Sequence, residues 1–183
     1  MIYFVSDTHI HHHKLCASYP DRFEEYRKYA TTDEMDADIV EKWNSTVSTG
    51  DDVIFLGDFI LDFPGKEKIP MTYDYWNRLN GNKIWVYGNH DLSLLKQFNK
   101  GTFTVPLIPD YCFEHNARKY HCKHYPYVEN MIPDEIYVHG HTHSIWKYGC
   151  GQNNVCWDAW YRPVSIDELK SPSEISIMNE ISG

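Results

Sequence analysis

The chain has 183 residues, a formal net charge of −9 and 42% hydrophobic residues, the size and balance of one globular domain with a real core. The acidic excess argues against broad, nonspecific nucleic-acid binding, which needs a basic surface, although bound divalent cations would reverse the field locally. Five scattered cysteines (Cys16, Cys112, Cys122, Cys150, Cys156) form no CxxC pair, so zinc-finger and redox readings are weak, and free thiols in a reducing cytosol fit best.

The chain enters an apolar strand at once, without a basic n-region or a long apolar h-region, and holds no bilayer-length apolar run. A cytoplasmic protein with no membrane contact is expected. Ile2 to Ser6 reads as the first strand, broken at Asp7-Thr8-His9. Thr31 with Glu34 forms a capping box for a helix in which Met35, Ile39, Val40, Trp43 and Val47 recur at helical spacing. Val53-Ile54-Phe55-Leu56 is a short buried strand ended by Gly57-Asp58. A loop over 63–70 leads to a helix near 72–79, stopped by Asn80-Gly81. Lys83 to Tyr87 is a third apolar strand, and it stops abruptly in Gly88-Asn89-His90-Asp91. Taken alone that segment reads as a turn, yet three polar side chains behind a core strand are costly to bury unless something pairs with them. A helix around 92–98 follows. The alternation of strands and helices predicts a parallel α/β sheet.

The second half reads as short strands over 102–108, 111–115, 119–122 and 136–138, with turns between them. Ser165 and Glu168 suggest a second capping box for a short final helix, and the residues after Lys170 are open to strand, helix or partner-binding tail. No internal repeat or linker is visible, so residues 1–183 are expected to form a single domain.

Five polar clusters follow strand ends: Asp7-Thr8-His9, Gly57-Asp58, Gly88-Asn89-His90-Asp91, His124, and His139-Gly140-His141-Thr142-His143. In open α/β sheets ligands gather at the carboxyl ends of strands. Mixed oxygen and imidazole donors suit divalent Mn, Fe, Co, Ni or Zn. Asp7-x-His9 and His141-x-His143 would each put two donors on one side of an extended segment. Each piece has a plain alternative as turn or loop chemistry; the repetition at successive strand ends favours a metal-dependent catalytic site with room for two ions.

The ordered set D-x-H, G-D, G-N-H-D, lone His and G-H-x-H resembles the calcineurin-like metallophosphoesterase superfamily, and especially a compact subgroup found in bacteria and their phages. The resemblance implies a four-layer α/β/β/α sandwich and a cytoplasmic enzyme of bacterial or phage-infected cells. It implies two divalent ions, Mn first, with Fe, Ni, Co, Zn or Mg as alternatives. By position, Asp7, His9 and His143 would hold one ion, Asn89, His124 and His141 the other, and Asp58 would bridge them. His90 would be the general acid and Asp91 would orient it. His12, three residues after His9, sits where the family often has a histidine and is a candidate substrate contact. The chain departs from the subgroup in having His11 where Gly is common, Lys14 where Asn is common, and Lys123 before His124 where Ser is usual.

Two such ions can clamp a phosphate and acidify a bridging water, which attacks phosphorus without a covalent phosphoenzyme. The expected activity is hydrolysis of a small-molecule or nucleotide phosphoester, as a diesterase or a phosphatase. The alternatives are a nuclease or nucleic-acid end-processing enzyme, with Lys14, Arg22, Arg118, Lys119 and Lys123 along one face, and a noncatalytic protein-binding scaffold. Phe59, Trp85, Tyr125 and Trp157 could stack on a base, although packing is the default for each. The oligomeric state is not encoded in any feature of the chain.

Overall fold

A computed structural model of the protein describes residues 1–16, 27, 29–61, 67–128, 130–143 and 146–182. Its first sheet is built from β1 (Ile2–Val5), β2 (Asp52–Phe55), β3 (Asn82–Val86), β4 (Leu107–Ile108) and β10 (Val164–Ser165). Strands β1 to β4 run parallel in sequence order, and β10 closes the β1 edge antiparallel. The second sheet takes β5 (Asp110–His115), β6 (Arg118–Lys123), β7 (Ile136–His139), β8 (Tyr148–Gly149) and β9 (Gln152–Asn154), in the order β5-β6-β7-β9-β8.

Side-chain alternation along the strands divides the core in two. Val5, Val53, Phe55 and Trp85 face the helices α1 (Thr32–Thr46), α2 (Lys68–Arg78) and α3 (Leu92–Asn99), where they meet Met35, Ile39, Trp43, Trp76 and Leu94. Their neighbours Phe4, Ile54, Leu56 and Val86 face the other way and pack against Tyr120, Cys122, Ile136 and Val138 of the second sheet. Two sheets flanked by helices make the mixed α/β sandwich that the resemblance implied. The aromatic richness goes largely into the helix-facing core, where Trp76 stacks on Trp85 with centroids 4.5 Å apart and Phe55 meets Trp85 edge-on at 88°.

Local signals were mostly realised. Thr31 caps α1 by accepting from the Glu34 amide, while the Glu34 carboxylate reaches back to the Ala30 amide, one residue beyond a regular capping box. Three boundaries differ from expectation. Helix α2 starts at Lys68, with Pro70 inside its first turn, where a missing N–H removes no helical bond. The Ser165–Glu168 box is real but closes only a 3₁₀ turn over Ile166–Glu168; the final helix is the separate α5 (Pro172–Ser182), after the short α4 (Trp157–Trp160). Over 102–108 only Leu107–Ile108 is strand.

Strands β1, β2 and β3 point their carboxyl ends to the same edge as β6, β7 and β9. The two sheets are stitched together there. Ser6 donates its amide to Val155 O at 3.0 Å and bridges Cys156 in parallel, and Asp7 donates to Gly57 O at 2.9 Å.

Candidate metal centre

At that edge two sets of donors converge. Asp7 Oδ1, His9 Nε2 and His143 Nε2 form the first, with His9–His143 at 3.0 Å, His143–Asp7 at 3.4 Å and His9–Asp7 at 3.7 Å. Asp58 Oδ2, His124 Nε2 and His141 Nδ1 form the second, with His124–Asp58 at 3.4 Å and His141–His124 at 3.2 Å. Asn89 Oδ1 joins it, 3.1 Å from His124 Nε2. Asp58 Oδ2 also lies 3.8 Å from His9 Nε2, so this carboxylate stands between the two sets.

The donors fit divalent cations. Metal–ligand bonds of about 2.0–2.2 Å put neighbouring donors roughly 3–3.5 Å apart, the spacing found here. Asp7 Oδ1 is buried and has no hydrogen-bond partner among the described residues, an arrangement that is costly for a carboxylate unless a cation meets it. The ring hydrogen bonds fix two tautomers. His143 Nδ1 lies 2.7 Å from Asp158 Oδ2 and His124 Nδ1 lies 2.7 Å from Leu56 O. Both therefore donate outward from Nδ1 and turn Nε2 into the site.

The backbone pays for this convergence. Asp7, His9, Asp58, His141 and His143 all have φ between 46° and 71°, a left-handed conformation costing of order 1–3 kcal/mol per non-glycine residue and concentrated at functional sites. The two D-x-H and H-x-H segments are thus not extended, as alternation suggested; the paired donors meet because left-handed residues curl the chain at each strand end. The motif glycines have a matching reason. A Cβ on Gly140 would lie 2.5 Å from Asp7 Oδ2 and 2.4 Å from Ser6 Oγ, and one on Gly88 would lie 2.2 Å from Asp58 Oδ1.

The charges are mutually supporting. Burial opposes ionisation of Asp7 and Asp58, and the surrounding histidines overcome it, so both carboxyls titrate below their usual range. Burial likewise opposes protonation of His124, but Asp58 and Asp7 prevail and push it up to about 9. A divalent ion entering there displaces that proton.

His90 stands at the mouth with its side chain 44% exposed, Nε2 3.9 Å from Asp58 Oδ2 and its ring 5.3 Å from that of His9. Its amide donates to Asp58 Oδ1 at 2.8 Å. Asp91 does not orient this ring. Its carboxylate is fully buried and accepts from the amides of Asp58, Gly88 and Phe59 at 2.7, 2.9 and 3.2 Å and from the Trp85 indole at 3.1 Å. It pins the β2 and β3 loops to each other instead. The His12 ring centroid is 5.5 Å from that of His9, beside the first donor set. Phe59, Trp85 and Trp157 are core residues, whereas Tyr125 is 49% exposed, its ring centroid 5.1 Å from His124 and 4.6 Å from His141.

Two functional residues were not foreseen. Buried Asp158 receives the His143 ring N–H and is paired with buried Arg27, whose Nε lies 2.8 Å from Asp158 Oδ1. Arg27 Nη1 and Nη2 also donate to the carbonyls of Thr8 and Asp7 at 2.6 and 2.5 Å. Asp158 follows β9, a sixth strand end, but Gln152-Asn153-Asn154 lacks the apolar run that marked β1, β2, β3 and β7.

The calcineurin-like phosphoesterase model matches residues 1–175. The chain belongs to the calcineurin-like phosphoesterase family. It is 32% identical over 146 residues to the uncharacterized protein MJ1445 of Methanocaldococcus jannaschii, covering 78% of this chain and 69% of that protein. The crystal structure of a protein of unknown function, AQ665 from Aquifex aeolicus, aligns with a TM-score of 0.65 at 25% identity over 92% of this chain and 96% of that one. YfcE, a phosphoesterase from E. coli, aligns with a TM-score of 0.44 at 14% identity over 86% of this chain and 79% of that one. As a calcineurin-like phosphoesterase the protein is a metal-dependent hydrolase of phosphoesters, and the two donor sets are its candidate metal-binding groups.

Proposed function

We propose that this single-domain calcineurin-like phosphoesterase hydrolyses a small organic or nucleotide phosphoester at a dinuclear centre, with Mn²⁺ as the first choice of metal. The observation that carries the reading is Asp58 Oδ2, which lies 3.4 Å from the second set at His124 Nε2 and 3.8 Å from the first at His9 Nε2. Asp7, His9 and His143 would hold one ion and Asn89, His124 and His141 the other, with Asp58 placed to serve both. Bound there, divalent ions would supply charge neutralisation for the phosphoryl oxygens and a water of lowered pKa, so no covalent phosphoenzyme would be needed.

The chain's own side chains supply the rest. His90, held over the site by the hydrogen bond its backbone amide donates to Asp58 Oδ1, gives a proton to the departing ester oxygen. Asp91 keeps the β2 and β3 loops in register beneath it. Tyr125 offers an exposed ring beside the second donor set to the organic part of the ester. A small substrate is favoured over nucleic acid because Arg118 is committed to Glu174 and Lys123 lies over the Tyr127 ring; Arg22 lies outside the described residues. No described helix is long and apolar enough to cross a membrane, and the five cysteines are free, which suits a reducing cytosol.

The test is to load the protein with Mn²⁺ and compare bis-p-nitrophenyl phosphate with p-nitrophenyl phosphate, using Asp58→Asn as the blank. Preference for the diester makes it a phosphodiesterase, and preference for the monoester a phosphatase; turnover undiminished in Asp58→Asn would sink the bridging assignment. His90→Ala should slow esters with alkoxide leaving groups far more than nitrophenyl esters, since general acid catalysis is worth about 10²–10⁴-fold. An equal loss on both would make His90 an electrostatic group rather than an acid.

A further inference from the structure

Strands β5 and β6 pair antiparallel with Cys112 directly opposite His121. Tyr111 and Phe113 on β5, and Tyr120 and Cys122 on β6, pack toward the core between the sheets, so Cys112 and His121 lie on the other face. There Cys112 Sγ is 3.5 Å from His121 Nδ1, and His121 Nε2 is 2.5 Å from Glu135 Oε2. The imidazole is held flat on the Tyr137 ring, with centroids 4.8 Å and planes 6° apart, and the Tyr137 hydroxyl donates to the same Glu135 oxygen at 3.4 Å. The bond from His121 holds the Glu135 carboxyl below its usual range. Because Glu135 accepts from Nε2–H, the Nδ1 lone pair faces the thiol. Thiol, base and orienting carboxylate come from three separate segments, and none is used by the phosphoester site.

We propose that Cys112 is a general-base-assisted surface thiol, a site of reversible mixed-disulfide formation with small disulfides of the glutathione disulfide class. As the Cys112 sulfur attacks one sulfur of the disulfide, its S–H proton passes to His121 Nδ1, and the imidazolium is stabilised by Glu135. The S–S bond of the small disulfide breaks, a new S–S bond to Cys112 forms, and the departing thiolate takes up a proton and leaves as the free thiol. The Cys112 sulfur is oxidised and the departing sulfur reduced, so no further oxidant is needed. The other thiols differ. Cys16, Cys122 and Cys156 are buried, and burial pushes the Cys122 and Cys156 thiols up. Cys150 is exposed but has no such imidazole partner among the described residues, which makes it an internal reference.

The experiment treats the full chain at pH 7 with glutathione disulfide and follows adducts by intact mass and peptide mapping, with Cys150→Ser isolating Cys112 and Cys112→Ser isolating Cys150. Cys112 should react about a hundredfold faster than Cys150, the modest end of the roughly 10²–10⁴-fold that a general base supplies. His121→Gln and Glu135→Gln should each bring its rate down toward that of Cys150, and dithiothreitol should restore the starting mass. Equal rates at the two cysteines would overturn the proposal, as would a Cys112 rate unmoved by His121→Gln in protein that melts like the parent. Should His121→Gln fail to fold, Glu135→Gln decides alone, and an unchanged Cys112 rate there refutes the relay. The outcome is independent of phosphoester turnover.

Discussion

Behind His143 stands a buried charge pair, Asp158 and Arg27, whereas the Nδ1 of His124 is met by the Leu56 carbonyl. The first half of the centre is therefore set by ions taken out of water, and Arg27 extends the same order to the Asp7 and Thr8 carbonyls. The His124 ring of the second half is oriented by a neutral backbone carbonyl, and this half borders solvent through His141 and the exposed Tyr125 ring. Such a division suits a site in which one metal position is fixed by the fold and the other borders the path of the substrate. The residue common to both halves is Asp58, and the largest expected effect is there. Asp58→Asn should abolish two-ion stoichiometry in a Mn²⁺ titration and lower turnover by more than the roughly 10–100-fold typical of an outer-shell change. Retention of both ions would break the comparison at its centre.

Asp158→Asn should separate the halves. Removing the carboxylate loosens His143, so affinity for one of two ions should fall about 10–100-fold while the other is unchanged. It also leaves Arg27 without its buried partner, and breaking such a pair from one side typically destabilises by about 3–5 kcal/mol. Metal titration and thermal melting of the same preparation test both. A uniform weakening of the two ions would mean that the charge pair supports the whole edge rather than one half of it.

The second half has its own signature in metal-free protein. His124 is raised from 6.5 to about 9, so the folded state holds a proton that the unfolded state releases earlier. The resulting stability is fully present below pH 6.5 and is lost as pH rises through about 9, at most roughly 3 kcal/mol. Urea melts of chelator-treated protein across that window should show the decline. Metal-loaded protein should not, because the ion replaces the proton. A flat profile in the metal-free protein would show that Asp58 and Asp7 are not the groups controlling His124.

How much of this was legible in the sequence follows from the range of each interaction. Asp7, His9, Asp58, Asn89, His124, His141 and His143 each follow a strand closely, so the rule that ligands gather at carboxyl ends singled them out as candidate donors, and the structure brings them together. The left-handed backbone at Asp7 and His9 was not legible: an Asp-x-His triplet after a strand reads as extended, and the curl is imposed by bonds to distant loops such as His9 N to Asp58 O. Arg27 and Asp158 are 131 residues apart, and neither sits in a periodic pattern that marks it as buried. Asp91 was assigned to its neighbour His90 because they are adjacent in sequence, but its carboxylate turns away from that ring, and two of its partners are amides 32 and 33 residues upstream. Tyr125 carried the same default of burial as Phe59 and Trp85, and only the position of the β6 end distinguishes it.

Tyr125 gives the smallest expected effect and the finest test of the open half. Its ring stands beside His124 and His141 and is about half exposed. Stacking of a base on an aromatic ring is worth about 1–3 kcal/mol by alanine substitution, and a half-exposed ring belongs at the lower end. Tyr125→Ala should therefore raise KM about fivefold for nucleoside or aryl phosphoesters, leave kcat nearly unchanged, and leave small alkyl esters unaffected. Because Tyr125 touches two metal-donor histidines, Tyr125→Phe is the control: it keeps the ring face and should keep the KM. A fall in kcat that is equal for aryl and alkyl esters would assign Tyr125 to positioning His124 and His141. The open half would then be defined by its metal donors alone, with no organic contact of its own.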